Sequence, residues 1–147
     1  MIRVNKINSS GAQVFFGAEA IKDVYNQTLE SPALDIVCLS ENYAQVVGSF
    51  FDREYAPRLF DSQIKTREIL PDNEANRADA KKKDGVKNAV RFIKTAGTSE
   101  SDYMLYGETA VLISYNPESP FAVVITDKDI VANLRSQFEA LWGSLGR

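Results

Sequence analysis

Histidine is absent from all 147 residues of the chain. It is the commonest general acid or base near neutral pH and a frequent metal ligand. Its absence excludes Ser-His-Asp and Cys-His catalysis, histidine-ligated zinc sites and phosphohistidine intermediates. We therefore expect a protein that is not an enzyme and that has no catalytic residue, no metal site and no cofactor.

Cysteine and long apolar runs are also scarce. The single cysteine, Cys38, excludes an intramolecular disulfide, and its place in an apolar segment favours a buried, unreactive thiol. No apolar run is long enough to cross a bilayer, and the first residues, MIRVNKINSSG, lack the apolar region of a secretory signal. We expect no membrane association, and the cytoplasm is the default compartment.

A basic excess is missing as well. Twenty acidic residues outnumber 17 basic ones, which gives a net charge of -3. Nucleic-acid-binding proteins usually carry a basic face, and the one dense basic run here is Lys81-Lys82-Lys83, flanked by Asp79 and Asp84. This polar setting favours a solvated face or loop, so we expect no direct nucleic-acid binding by this chain.

What is present is an alternation of strand-like and helix-like segments. Strand patterns occupy residues 12–16, 34–40, 63–70, 102–106, 108–115 and 120–126. Helical patterns begin after Gly17, at about Tyr43 with a kink or end at Pro57, and after Thr126. Residues 71–85 are almost wholly polar, with room for a short helix.

This order predicts an α/β fold: a single layered domain whose mixed β-sheet, parallel early and antiparallel late, is flanked by helices. Residues 12–147 form the domain and residues 1–11 an N-terminal extension. The run at 34–40 is apolar on both faces, which predicts a central strand. The last helix has one apolar stripe, comprising Ile130, Val131, Leu134, Phe138, Leu141, Trp142 and Leu145. Thr126 and Asp129 predict a capping box at its start.

Several segments in sequence order resemble a known family. They are VFFGAEAIKDVYNQTLE, LDIVCLS, FFDREYAPRLFDSQIKTREIL and MLYGETAVLISYNPESPFAVVITDKDIVANLRSQFEALW. Together they resemble the C-terminal domain of TrmB-type transcriptional regulators over roughly residues 12 to 145. The resemblance implies a phospholipase D-like fold and a role in dimerisation or effector sensing. It also implies a homodimer and a small-molecule effector, either a sugar or a phosphorylated metabolite.

In that family the domain follows a winged helix-turn-helix and a helical linker. Only about a dozen residues precede the first predicted strand here, too few for a helix-turn-helix. The sequence leaves open whether it is part of a longer protein or a stand-alone sensor.

Phospholipase D-type enzymes use a histidine, a lysine two residues later and an aspartate five residues beyond the lysine, just before a strand hairpin. With Gly107 aligned to the glycine that follows the aspartate, these positions fall at Ser99, Ser101 and Tyr106. A serine with no base at hand is a weak nucleophile. We predict that the inherited catalytic site is dead.

Five residues are candidates for binding a ligand. Arg67 lies in a strand expected to be buried, so it needs a partner. That partner is either an acid on an adjacent strand or an effector. Ser40, Glu41 and Asp72 follow strand ends, where α/β sheets often bind ligands, and Tyr106 completes the set. Two other functions stay open: a scaffold domain without a ligand, and a phosphodiesterase with an atypical site.

Overall fold

The computed structural model describes residues 6–9, 11–95 and 99–146. The strands are Lys6–Ser9 (β1), Ala12–Phe16 (β2), Ala33–Cys38 (β3), Lys65–Pro71 (β4), Asn88–Ile93 (β5), Ser101–Tyr106 (β6), Thr109–Ser114 (β7) and Phe121–Ile125 (β8). The α-helices are Ala18–Thr28 (α1), Tyr43–Val47 (α2), Ala56–Phe60 (α3), Glu74–Ala80 (α4) and Lys128–Ser144 (α5), with a π-helical segment at Phe51–Tyr55.

The eight strands form one mixed sheet in the order β1-β2-β8-β7-β6-β3-β4-β5. β3 pairs in parallel with β4, which pairs in parallel with β5, and all other pairings are antiparallel. The strand direction therefore changes at β3, which pairs with β4 on one side and with β6 on the other. The predicted α/β fold is confirmed, as is the central position of the LDIVC strand.

Helices cover both faces of the sheet. On the first, here called the α1 face, a large apolar core includes residues of α1 and of the α2–α3 region, among them Ile21, Val24 and Leu59. On the opposite face, here called the α5 face, Val131 and Phe138 of α5 pack with strand residues such as Ile69 and Leu105. Alternate residues of a strand point to opposite faces, so β3 and β6 contribute to both cores.

The region from Tyr43 to Phe60 differs from the prediction. α2 ends at Gly48, whose φ of 61° suits glycine better than any residue with a side chain. Pro57 lies in the first turn of α3, directly after the π-helical segment, and the backbone is helical without a break from Phe51 to Phe60. The prediction that Pro57 ends the helix is therefore wrong, since the helical region continues to Phe60.

Three smaller features also differ. Residues 6–9 of the predicted N-terminal extension form β1 and pair with β2, whereas residues 1–5 and 10 lie outside the described part. The predicted capping box is wrong: Asp127 is the N-cap of α5, because its carboxylate accepts the amide hydrogens of Asp129 and Ile130 at 3.1 and 2.9 Å. Ile130, assigned to the apolar stripe of the last helix, is 49% exposed.

Among the described residues, no helix has the length and apolar character needed to span a membrane.

Candidate functional site

A cavity of about 500 Å³ lies on the α1 face, at the carboxyl ends of β3 and β4. Its walls come from the segment after β3, from the helical region between Tyr43 and Phe60, and from α4 and the turn after it. We call it the strand-end cavity. Ligands of α/β sheets commonly bind at this end of the strands, which makes the cavity the leading candidate site.

Ser40 is fixed at one end of the cavity by a buried carboxylate. The Ser40 backbone N–H and hydroxyl donate to Asp102 at 3.1 and 3.0 Å. Burial raises the pKa of the Asp102 carboxyl above its usual range, although the hydrogen bonds from Ser40 oppose that rise. Asp102 thus ties the chain segment after β3 to the neighbouring strand β6.

A buried ion pair forms another part of the wall. Lys83 Nζ lies 2.7 Å from Glu68 Oε1 and 3.4 Å from an Asp79 carboxylate oxygen, and the Lys83 and Glu68 side chains are no more than 10% exposed. The same ammonium lies 4.4 Å from the centre of the Phe60 ring. Burial raises the pKa of Glu68, while Lys83 lowers it.

This pair corrects the interpretation of the lysine run. Lys81 and Lys82 are exposed, as expected of a solvated segment. Lys83 instead turns inward, because a buried carboxylate such as Glu68 requires a positively charged partner. The prediction of a solvated run is therefore wrong for Lys83.

The remaining wall combines aromatic rings with exposed carboxylates. The rings of Tyr43 and Phe51 lie 4.8 Å apart, and the Tyr43 hydroxyl donates to Asp52 Oδ1 at 3.5 Å. Burial, together with the nearby Asp52 charge, raises the pKa of Tyr43 to about 12. Glu41 and Asp52 are both exposed and both line the cavity.

Cys38 also lines the cavity. Burial, assisted by the charge of Asp102, raises the pKa of its thiol far above the usual range. The thiolate is the reactive form of cysteine, so the high pKa agrees with the expected unreactive thiol. No group of three or more cysteine, aspartate or glutamate side chains within residues 6–9, 11–95 and 99–146 is arranged to hold a metal ion.

Arg67 lies on the opposite face of the sheet. Its guanidinium makes two hydrogen bonds to Asp35 on the adjacent strand, at 2.8 and 2.9 Å, and one of 2.6 Å to Glu139 of α5. It also stacks over the rings of Phe138 and Trp142. The sequence left two partners open for Arg67, an acid on an adjacent strand or an effector. The contacts with Asp35 are of the first kind.

Two further residues predicted to bind a ligand, Asp72 and Tyr106, also lie outside the cavity lining. Asp72 pairs with Arg77 at 2.6 Å, within the same polar segment. Tyr106 is half-buried at the far end of β6, packed against the core of the α1 face. The structure therefore brings together Ser40 and Glu41 but not Arg67, Asp72 or Tyr106.

The sequence analysis missed Tyr43, Asp52, Glu68 and Lys83 as site residues. Glu68 could have been recognised from the sequence. Like its neighbour Arg67, it is a charged residue in a strand expected to be buried, so it needs a partner of opposite charge. The other three come from separate helices and turns, and their convergence depends on the tertiary fold.

The three positions aligned with the phospholipase D-type catalytic residues do not all come together. Ser99 and Ser101 line a smaller cavity of about 260 Å³, with their hydroxyl oxygens 3.4 Å apart. Apolar side chains, including those of Leu39 and Leu112, form much of its wall. Tyr106 lies at the opposite end of β6, roughly 16 Å along an extended strand.

Comparisons by sequence give no relatives: no family model matches the chain, and no curated protein matches it. Comparisons by structure give several, each with a TM-score of 0.57. TrmBL2, an archaeal chromatin protein with a novel mode of DNA binding, is 15% identical; the match covers 92% of this chain and 53% of TrmBL2. NucT from Helicobacter pylori is 11% identical, with 91% of this chain and 96% of NucT covered.

Polyphosphate kinase from Porphyromonas gingivalis is 13% identical, over 91% of this chain and 26% of the kinase. The chain thus spans about half of TrmBL2 and nearly the whole of NucT. At such low identity a structural likeness shows only the fold. These comparisons place the chain among proteins with a phospholipase D-like fold, which include a TrmB-like protein.

Proposed function

We propose that this chain is a non-catalytic regulatory domain of a TrmB-like transcriptional regulator and that it senses a small molecule in the strand-end cavity. The observation that carries the proposal is the cavity itself, at the carboxyl ends of β3 and β4. Ser40 and Glu41, two residues predicted to bind a ligand, line it. Its volume of about 500 Å³ lies within the range of small-molecule sites.

The chemistry of the chain supports a non-catalytic role. The sequence has no histidine to serve as nucleophile or base. The thiol of Cys38 is held in its unreactive form by its raised pKa. Serines occupy the positions aligned with the histidine and lysine of the phospholipase D-type site, and neither nucleophile activation nor phosphate binding is expected of them.

The same cavity favours sensing over a plain scaffold. In a scaffold that retained only the fold, side chains would fill the space at the strand ends. Here polar and charged side chains, including Ser40, Glu41 and Asp52, line an open volume instead. Ser40 is already bonded to Asp102, whereas the exposed carboxylates of Glu41 and Asp52 keep acceptor capacity that a ligand could use.

The proposal includes a homodimer that does not itself contact nucleic acid. The net charge of -3 disfavours binding to phosphate backbones. In the lysine run 81–83, Lys83 is paired with Glu68, so its charge is not free to contact phosphate. Light scattering on the purified chain is expected to give twice the monomer mass, and a mobility-shift assay is expected to give no shift of duplex DNA.

Filling the cavity tests the proposal. Ala75 and Ala78 are both exposed residues of α4, and of the two only Ala75 lines the cavity. We expect a thermal-shift screen of amines, sugars, sugar phosphates and nucleotides to yield a compound that stabilises the wild type, because a ligand of the folded state raises its stability by mass action. The shift should be lost in Ala75→Trp and kept in Ala78→Trp.

Two results would count against the proposal. One is a screen in which no compound stabilises the folded wild type. The other is a stabilising compound whose shift is the same in both tryptophan variants, because binding would then lie elsewhere.

A further inference from the structure

The charge of the strand-end cavity indicates the class of its ligand, given the sensing role proposed above. Four carboxylates line it, those of Glu41, Asp52, Glu68 and Asp79, and among its lining residues Lys83 is the single basic one. Lys83 is already paired with Glu68 and Asp79. The cavity therefore has unneutralised negative charge and no free cation for an anionic ligand.

One ammonium group, that of Lys83, is already bound in the wall of the cavity. The Lys83 ammonium lies 2.7 Å from the Glu68 carboxylate and 4.4 Å from the centre of the Phe60 ring. A carboxylate beside an aromatic face is a favourable setting for a cation, through a charge-assisted hydrogen bond and a cation–π contact. The side chain of Lys83 occupies this first cation position, between Glu68 and Phe60.

A second position of the same chemistry lies elsewhere in the cavity wall. The adjacent rings of Tyr43 and Phe51, 4.8 Å apart, provide the aromatic surface, and Asp52 lies beside the Tyr43 hydroxyl. Glu41 adds a further carboxylate to the lining. No ion pair joins Glu41 or Asp52 to a lysine or arginine of the described residues.

We infer that the strand-end cavity binds an organic cation carrying primary ammonium groups. The carboxylates of Asp52 and Glu41 accept hydrogen bonds from an ammonium group, and the alkyl body of the ligand packs on the rings of Tyr43 and Phe51. A linear polyamine has both features. A sugar phosphate, the effector class implied by the family resemblance, would bring negative charge against four carboxylates, and such like-charge contacts disfavour binding.

Calorimetric titration of the intact chain tests the inference with three probes. Spermidine carries the proposed cationic chemistry, butane-1,4-diol is a neutral short-chain analogue, and glucose 6-phosphate is an anion. At about 0.15 M salt, where distant charges are screened, we expect spermidine to bind with defined stoichiometry and the other two not to bind. The cavity-filling Ala75→Trp should abolish spermidine binding.

Matched charge variants separate the site from general attraction to an acidic protein. Asp52→Asn and Glu41→Gln should each weaken spermidine binding about tenfold, the scale of one lost charge-assisted hydrogen bond. Glu118→Gln removes one charge from an exposed loop outside the cavity lining and should change affinity less than twofold. Equal effects of all three variants would overturn the inference.

The outcomes also distinguish this inference from the sensing role. Glucose 6-phosphate binding that is lost in Ala75→Trp, without spermidine binding, would overturn the cationic ligand and leave sensing in place. If neither these probes nor the wider screen gives a compound that binds, both the cationic ligand and the sensing role fail.

Discussion

Replacing Asp35 with asparagine tests how far the polar network under α5 stabilises the fold. Asp35 lies on β3 with its side chain 11% exposed, and its two carboxylate oxygens accept from Arg67 and from Arg135 of α5. Both arginine side chains are about a third exposed, at 33% and 34%. Asparagine keeps the shape of the side chain but removes the charge shared by the two guanidinium groups.

The expected cost lies between two known limits. Removing one partner of a buried ion pair costs about 3–5 kcal/mol, whereas an exposed pair contributes about 0.2–1 kcal/mol. Because Asp35 is buried and both arginines are partly solvated, we expect a loss of about 2–3 kcal/mol in the free energy of unfolding. For a domain of this size that loss corresponds to a fall in Tm of roughly 4–12 °C.

Urea unfolding followed by circular dichroism gives the measurement, with Glu139→Gln as the matched control. Glu139 pairs with the same Arg67 but is 47% exposed, so its replacement should cost less than about 1 kcal/mol. A cost for Asp35→Asn no larger than that of Glu139→Gln would refute the reasoning that burial determines the strength of the network. So would an Asp35→Asn variant as stable as the wild type.

The remaining predictions concern a helix cap and a buried carboxyl. Asp127→Ala should destabilise the fold by about 1 kcal/mol, because two amides of the first turn of α5 lose their acceptor; in urea unfolding Asp129→Ala, which removes no such acceptor, should cost less. Burial raises the folded-state pKa of Asp102 above its unfolded value of about 3.9. The stabilisation from the Asp102 carboxyl is fully present below that pH and is lost as the pH rises through the folded-state pKa. The stability of Asp102→Asn relative to wild type should therefore increase between pH 4 and pH 7. A stability difference that stays constant with pH would contradict this prediction.

The elements that the sequence predicted are those whose patterns reflect burial directly. The run around Val37 is apolar on both faces and becomes a central strand. The helix predicted after Gly17 is α1, and it buries Ile21 and Val24. Gly107, between the strands predicted at 102–106 and 108–115, adopts a φ of 54° between β6 and β7.

The failures have a different origin. A proline usually ends a helix, but here the helical backbone continues through Pro57, and the break lies earlier, at Gly48. Lys83 belongs to a run that looks solvated, and only the fold brings it to Glu68. The candidate site was predicted through strand ends, which located Ser40, whereas the aromatic and basic parts of its wall come from segments distant in sequence.

The pairing of β2 with β8 also governs when the sheet can be completed. Ala12 pairs with Ile125, so β2 is synthesised well before the strand with which it pairs. Until residues 121–125 emerge from the ribosome, the apolar segment AQVFF has one edge without its final partner, and unpaired strand edges favour aggregation. Contacts this distant in sequence slow folding, because the intervening chain must be ordered first. The sheet can therefore be completed only after β8 has been synthesised.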